Sequence, residues 1–179
     1  MKAFVVAVVS LIAVAGCGKD KVTGPGGPAG PQYLVPSTPN DVLFNMQRAY
    51  AARDSTEYKG LFDDAYLGNS MDPSDGTNLN FTKTDEAQHI AALARRGTIT
   101  IASIVYPPSI VRFTDLTDPP GWATIQMSQG FSVQIDDIPS SYYIRSGTTQ
   151  EFKFAPTSPD STSPTDTTWK IIRWREVGP

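Results

Sequence analysis

The feature that most constrains the fold is an alternation of apolar and polar residues between Trp122 and Asp136. Successive side chains of a strand point to opposite faces, so this pattern predicts a strand with one face on a core and one toward water, as in antiparallel sheets. Ser128-Gln129-Gly130 interrupts the alternation and predicts a bulge or a turn. The apolar side chains that share one parity are Ala123, Ile125, Met127, Phe131, Val133 and Ile135.

Helices are predicted before these strands, from apolar residues at helical spacing. The predicted helices are one capped by Thr38 or Asn40 and ending at Arg53, one from Ser55 or Thr56 to Gly68, and one from Thr84 to Gly97. The other predicted strands are a short one around Leu79 and Phe81, two between Thr98 and Thr114, one from Tyr142 to Phe154, and a closing one from Trp169 to Val177. This order predicts an α+β fold, with three N-terminal helices packed on a strongly curved antiparallel sheet of about four to five strands.

The start of the chain is typical of an export signal. Lys2 supplies a positive charge, and the apolar run from Ala3 to Ala15 is shorter than the about 20 residues that a membrane-spanning helix needs. Residues 18–39 carry so much glycine and proline that they predict a tether. The predicted organisation is a signal peptide at 1–16, a tether at 17–39 and a single domain at 40–179.

The end of the apolar run, Val14-Ala15-Gly16-Cys17, resembles the lipobox of bacterial lipoproteins. The resemblance implies that Cys17 receives a thioether-linked diacylglyceryl group, becomes the new N-terminus and is N-acylated. Two or three acyl chains suffice for stable anchoring. Lys19 points, by the same resemblance, to the outer membrane of the cell envelope, with the domain facing the periplasm. The alternative is a plain secretory signal in which the cysteine occurs by chance.

Charge and residue content exclude several classes of function. The chain has 15 basic and 18 acidic residues, a net charge of −3, and no basic stripe, which argues against nucleic-acid binding. Cys17 is the only cysteine, so its acylation would leave no thiol for a disulfide or a thiolate metal site. His89 is the only histidine, and the spacing of oxygen ligands in residues 72–78 does not fit an EF-hand. Neither a metal nor a cofactor is expected.

The order of the predicted elements resembles the nuclear transport factor 2-like superfamily, which includes ketosteroid isomerase and the SnoaL-like domains. The resemblance covers about residues 40–177, and residues 41–54, 58–66 and 169–174 carry it best. It implies a cone, in which a bent sheet wraps the helices and leaves a pocket at its wide end. By this analogy the pocket walls would come from Tyr58, Phe62, Tyr66, Ile125, Met127 and Phe152. The alternative for these six residues is plain core packing.

Isomerases of this superfamily use a carboxylate base together with a tyrosine and a protonated acid, and that set cannot be assigned from this sequence. His89 and Asp64 are the candidates for a base. The pKa of histidine suits proton transfer near neutral pH, although His89 lies beside the apolar stripe of its helix, where a boundary histidine is the alternative. Asp63 and Asp64 would diverge by about 100° on the predicted second helix, where solvated charges are the alternative.

Three functions remain open. The favoured one is a non-enzymatic envelope lipoprotein, whose pocket binds a small hydrophobic ligand or an envelope protein. The second is a pocket enzyme of isomerase or hydratase type, with His89 or Asp64 as the base. The third is a structural or assembly role, with homodimerisation through the open sheet face, a habit of the superfamily. An apolar pocket would favour binding, whereas two convergent titratable groups would favour catalysis.

Overall fold

The computed structural model describes residues 30–71, 76–145, 149–157 and 167–177. The predicted α+β class is confirmed, and Cys17 lies outside the described residues. No helix in these ranges has the length and apolarity needed to cross a bilayer. The elements within them are α1 (Pro39–Ala52), α2 (Ser55–Gly60), β1 (Phe62–Met71), β2 (Asn78–Thr82), α3 (Lys83–Arg95), β3 (Ile99–Val105), β4 (Val111–Phe113), β5 (Ala123–Met127), β6 (Ser132–Asp137), β7 (Ser140–Arg145), β8 (Thr149–Thr157) and β9 (Thr168–Val177).

Helix α1 begins after Thr38, one of the two N-caps that the sequence predicts, and the cap is a capping box. The Thr38 side chain accepts a hydrogen bond from the Asp41 backbone N–H, and the Asp41 carboxylate accepts one from the Thr38 backbone. Pro39 occupies the first turn, where its missing N–H costs nothing. The helix buries one apolar face, formed by Val42, Leu43, Met46, Ala49 and Tyr50.

The second predicted helix is wrong beyond Gly60. Asp54 caps α2 by accepting from the backbone N–H groups of Thr56 and Glu57, and the helix ends at Gly60, a poor helix former. The following residues form β1, which lies between β2 and β9. Its apolar residues also fit helical spacing, and pairing with two strands decides between the two conformations. Asp63 and Asp64 are therefore strand residues.

The strands form two sheets. Six lie in the order β2-β1-β9-β8-β5-β4 and three in the order β3-β6-β7. The pairing of β1 with β9 is parallel, and the other pairings among the described strands are antiparallel. The expectation of an antiparallel sheet of four to five strands is thus wrong in strand number and in this one pairing. The added parallel strand is the segment whose spacing predicts a helix.

The interruption predicted at residues 128–130 separates β5 from β6, which belong to different sheets. Gly130 has a φ of 80°, a conformation that side chains with a Cβ rarely adopt. A Cβ at this position would also lie 3.0 Å from the Cβ of Pro107. Glycine therefore allows the chain to leave one sheet and enter the other.

Part of the predicted tether is attached to the domain. Asn45 is fully buried, and its amide donates to the Leu34 carbonyl (2.7 Å) and accepts from the Leu34 N–H (2.8 Å). The Tyr33 hydroxyl donates to Asp54 over 3.2 Å, and the Trp169 N–H donates to the Pro36 carbonyl over 2.8 Å. These bonds fix residues 33–36 against α1 and β9.

Candidate functional site

A cavity of about 670 Å³ opens between the helices and the two sheets. Aromatic side chains form much of its wall, and polar side chains enter it from α3 and from β1, β8 and β9. Its lining residues are Tyr50, Tyr58, Tyr66, Gly68, Asn69, Ser70, Asn80, Phe81, Asp85, Glu86, Gln88, His89, Ile104, Phe131, Val133, Ile135, Gln150, Trp174 and Glu176.

Helix α3 brings three titratable side chains, Asp85, Glu86 and His89, into the cavity wall. The helix starts at a second capping box, in which Thr82 and Asp85 satisfy each other's backbone N–H groups. Glu86 and His89 follow at a spacing of three residues, which places them on the same side of the helix. Each of the two contacts a tyrosine on another element, and Tyr50, Tyr66, Glu86 and His89 are here called the Glu86 cluster.

Glu86 is held by Tyr66, whose hydroxyl donates to Glu86 Oε1 over 2.8 Å. Burial raises the pKa of Glu86 from 4.5 to about 7; the Tyr66 hydrogen bond opposes this shift and the charge of Asp85 adds to it. Burial and the charge of Glu86 raise the pKa of Tyr66, so this hydroxyl keeps its proton. Glu86 therefore populates both protonation states near neutral pH, which suits a general acid or base.

Gly68 provides the space in which the Tyr66 hydroxyl lies. A Cβ on Gly68 would lie 2.4 Å from that hydroxyl oxygen and 3.1 Å from the Cζ atom of the same ring. Because the φ of Gly68 is not positive, backbone conformation does not require glycine at this position. The residue is small for steric reasons, and its absent side chain allows Tyr66 to reach Glu86.

His89 contacts Tyr50, with 3.3 Å between Nε2 and the tyrosine oxygen and 5.9 Å between the ring centroids. The His89 side chain keeps part of its surface in solvent, yet desolvation by the cavity wall lowers its pKa, so the neutral ring dominates at pH 7. Burial and the charge of Glu86 raise the pKa of Tyr50. In the tautomer protonated at Nδ1, the Tyr50 hydroxyl donates to Nε2.

Tyr58 is the most deeply buried tyrosine of the cavity wall, with 1% of its surface exposed. Burial raises its pKa, and the charges of Glu86, Tyr106, Tyr66 and Tyr50 add to the shift. Within the described ranges the Tyr58 hydroxyl makes no hydrogen bond, and the neighbouring buried hydroxyl of Tyr106 has no partner either. Tyr106 does not line the cavity, whereas Tyr58 does, so the Tyr58 hydroxyl is the one that a ligand in the cavity can contact.

A second polar group, here called the Glu176 cluster, consists of Ser70, Gln150, Trp174 and Glu176. The Trp174 indole N–H donates to Gln150 Oε1 over 2.8 Å, and Gln150 Nε2 donates to Glu176 Oε1 over 3.0 Å. The Ser70 hydroxyl donates to Glu176 Oε2 over 2.6 Å. Gly68, which lies beside the Tyr66 hydroxyl, pairs with Trp174 in the sheet. Ser70 lies two residues further along β1, about 7 Å beyond Gly68.

The charged side chains among the described residues that line the cavity are acidic. Among the described residues that line it, three carry carboxylates, Asp85, Glu86 and Glu176, and none is lysine or arginine. The cavity therefore disfavours an anionic ligand and accepts an uncharged or a cationic one. Across the described residues, no group of three or more histidine, cysteine, aspartate or glutamate side chains is arranged to hold a metal ion.

The structure brings together part of the predicted site. Tyr58, Tyr66 and His89 line the cavity. Asp64 does not; its side chain is 95% exposed and bonds Lys83 over 2.7 Å. The remaining predicted wall residues, Phe62, Ile125, Met127 and Phe152, are buried in the core and do not line the cavity.

Sequence reasoning missed Glu86, Tyr50 and the whole Glu176 cluster. The position of Glu86 three residues before His89 was a usable signal, because the two must share a helix face. Trp174 and Glu176 share the parity of one strand, which also was visible in the sequence. The partners Ser70 and Gln150 come from β1 and β8, and sequence periodicity does not reveal which strands pair.

No protein-family model matches this sequence, and no curated protein matches it. Solved structures do match. A conserved protein from Planctomyces limnophilus is 12% identical, with 77% of this chain and 94% of that chain covered and a TM-score of 0.55. An NTF2-like protein of unknown function in nutrient uptake from Rhodospirillum rubrum is 12% identical, with 77% and 95% covered and a TM-score of 0.50.

The fold is nuclear transport factor 2-like. The protein Kfla4162 from Kribbella flavida is a further similar structure, at 11% identity, 77% and 86% coverage and a TM-score of 0.52. At such identities the likeness concerns the fold alone. The resemblance of residues 40–177 to the nuclear transport factor 2-like superfamily is thus confirmed for the fold.

Proposed function

We propose that this protein binds a small, uncharged organic molecule in the cavity and transfers a proton on it, with Glu86 as the acid–base group. The observation that carries the proposal is the Glu86–Tyr66 pair: a part-buried carboxyl group that lines an aromatic cavity, accepts a hydrogen bond from Tyr66 and has its pKa raised to about 7. Perturbed carboxyl groups in a cavity of this size are typical of acid–base sites.

The chemistry that this arrangement supports is proton abstraction from a carbon next to a carbonyl group. Glu86 Oε1 is occupied by Tyr66, and Oε2 has no hydrogen bond from any described residue, so Oε2 is the atom that takes the proton. The electron pair of the broken C–H bond moves to the carbonyl oxygen and forms an enolate. The unpartnered Tyr58 hydroxyl donates a hydrogen bond to that oxygen.

Glu86 then returns the proton, either to the same carbon or to another position of the enolate, and the second outcome is an isomerisation. His89 and Tyr50 supply a second neutral donor–acceptor pair in the same wall. The proposed activity is of the isomerase type, the second of the functions that the sequence left open, with Glu86 as the base in place of the predicted His89 or Asp64.

Binding without chemistry is the second candidate function. It is favoured by the wall of the cavity away from Glu86, where Phe81, Phe131, Val133 and Ile135 offer apolar surface. In that case the cavity would hold a hydrophobic ligand, and Glu86 would only contact it.

The two functions separate with 2-tetralone, an uncharged bicyclic ketone, as the probe. Exchange of its α-protons in D₂O at pH 7 is followed by ¹H NMR, and binding is measured from chemical-shift changes in the protein. We expect the protein to accelerate exchange, and Glu86→Gln to reduce that acceleration by about 100-fold or more, as removal of a general base does. Glu57→Gln, a partly buried carboxyl group outside the cavity, is the control and should retain it.

Equal acceleration by wild type and Glu86→Gln would contradict proton transfer by Glu86. Binding of 2-tetralone without acceleration would select the second candidate, and the absence of binding would count against both.

We also propose that the domain is anchored to the outer membrane, on its periplasmic side, through acyl chains on Cys17. The support is the lipobox-like sequence after a short apolar run. Growth of an expressing bacterium with labelled palmitate should label the wild type and leave Cys17→Ala unlabelled. Membrane fractionation should place the labelled protein in the outer membrane. A mature protein that keeps Met1 and carries no lipid would contradict the proposal.

A further inference from the structure

The direction of the hydrogen bonds in the Glu176 cluster identifies the kind of group that it can bind. An indole N–H can only donate, so the atom of Gln150 that faces Trp174 must be the amide oxygen. The amide NH₂ of Gln150 then faces Glu176 and donates to Oε1. The amide orientation is therefore fixed by chemistry, and Gln150 is 1% exposed and held in place.

Both neighbours of Glu176 donate to it. Gln150 occupies one acceptor site on Oε1 and Ser70 occupies one on Oε2. A carboxylate has about four such sites, so acceptor capacity remains on both oxygens. Because Glu176 also lines the cavity, that capacity is available to a ligand.

We propose that the Glu176 cluster is a recognition subsite for a hydrogen-bond donor, a hydroxyl or amino group, on the ligand that Glu86 acts on. This inference rests on the proposed function, because it assigns a second contact to the same ligand. Ser70 of this subsite lies two residues, about 7 Å, along β1 from Gly68, and the Tyr66 hydroxyl that contacts Glu86 lies beside Gly68. A carboxylate or phosphate at this end of the ligand is excluded, because Glu176 would repel it and no described lining residue is cationic.

Three naphthalenes of similar size test the subsite: 2-naphthol, which carries a donor, 2-methoxynaphthalene, which lacks one, and 2-naphthoate, which is an anion. Their dissociation constants are measured by NMR titration at pH 7. We expect 2-naphthol to bind at least about tenfold more tightly than the ether, since a hydrogen bond to a charged group is worth that much. We expect 2-naphthoate to bind most weakly.

Variants distinguish recognition by Glu176 from general disturbance of the cavity. Glu176→Gln should reduce the preference for 2-naphthol over the ether to about threefold or less, with little change in binding of the ether. Glu57→Gln, a carboxyl change outside the cavity, is the control and should match the wild type.

Equal affinity of wild type for 2-naphthol and the ether would overturn the subsite while leaving proton transfer by Glu86 intact. An undiminished preference in Glu176→Gln would do the same. Failure of all three probes to bind would overturn the subsite and also the cavity as a small-molecule site. The 2-tetralone experiment tests Glu86 separately, so the two proposals can fail independently.

Discussion

The carboxyl groups on the outer face of the six-stranded sheet and those in the cavity have different partners: cationic side chains on the outer face and neutral hydrogen-bond donors in the cavity. On the outer face, Lys153 contacts Asp115 over 3.0 Å and Asp118 over 2.6 Å, and these three residues form the lysine cluster. Arg175 and Glu151 pair nearby over 2.7 Å. In the cavity, the carboxyl groups of Glu86 and Glu176 receive hydrogen bonds only from hydroxyl and amide groups among the described residues.

The two environments move carboxyl pKa values in opposite directions. Hydrogen bonds from the Thr117 backbone and side chain, together with Lys153, lower the pKa of Asp115. Burial without a positive partner raises the pKa of Glu86 to about 7. A carboxylate that is already neutralised stabilises the fold, whereas one held without a counter-charge retains reactivity. We therefore expect the carboxylates of the outer face to stabilise the fold and the carboxyl group of Glu86 to carry the proposed proton transfer.

The largest effect on stability is expected from the lysine cluster. Lys153→Met keeps the length of the side chain but leaves Asp115 and Asp118 without their shared cation. We expect the free energy of unfolding to fall by about 2 to 3 kcal/mol, since one side of a largely buried ion pair is removed. Urea denaturation at pH 7 measures this change. A loss of stability no larger than that of an exposed lysine variant, such as Lys59→Met, would contradict the claim that the lysine cluster stabilises the fold.

The dependence of stability on pH should report Glu86. Its folded pKa of about 7 exceeds the unfolded value of 4.5, so its contribution to stability is complete below about pH 4.5 and is lost as the pH rises to 7. Between pH 5 and pH 8 this loss amounts to about 2 kcal/mol. Glu86→Gln should remove it and be more stable than wild type at pH 8.

His89 acts in the opposite direction, because its pKa is lowered in the folded state and its contribution to stability is lost as the pH falls below 6.5. In a His89→Gln protein, the pH dependence of the free energy of unfolding therefore reports Glu86 without the opposing contribution of His89. Parallel stability curves for wild type and Glu86→Gln across this range would show that Glu86 titrates as an exposed residue does.

A smaller effect is expected when the space for Tyr66 is filled. Gly68→Ala places a Cβ against the Tyr66 hydroxyl, which must move away from Glu86. We expect a cost of about 1 kcal/mol in stability and a further rise in the pKa of Glu86, because the hydrogen bond that lowers it is lost. Gly60→Ala is the matched control, since a Cβ there meets no atom within 4 Å. An unchanged Glu86 pKa in Gly68→Ala would show that Gly68 does not position Tyr66.

The smallest effect is expected at Asp64, the exposed carboxylate that pairs with Lys83. Asp64→Asn should leave both stability and 2-tetralone exchange unchanged within error, because surface ion pairs contribute little. A loss of exchange comparable to that of Glu86→Gln would place the reactive group outside the cavity and refute the assignment.

The sequence predicted the elements whose information is local. Thr38, one of the two predicted N-caps, precedes α1, and the shared parity of Phe131, Val133 and Ile135 identifies the side of this segment that meets the cavity. It failed where two periodicities coexist: Phe62 and Tyr66 fit a helix, yet parallel pairing with β9 makes this segment a strand.

The site was harder to predict than the fold because its partners are distant in sequence. Tyr66 and Glu86 are 20 residues apart, and Ser70 and Glu176 are 106 apart. From the sequence alone, Glu86 is indistinguishable from a surface residue of an amphipathic helix, because its hydrogen bond with Tyr66 depends on the tertiary fold. The desolvation that raises the pKa of Glu86 arises only once α3 packs against α2, β1 and β2.

The most direct test of the account is the titration of Glu86 itself. Proteins labelled with ¹³C at glutamate Cδ, wild type and Glu86→Gln, assign its resonance by difference, and the chemical shift is followed from pH 3 to pH 9. The account predicts a midpoint near pH 7. A midpoint between 4 and 5, the ordinary value of an exposed glutamate, would contradict it.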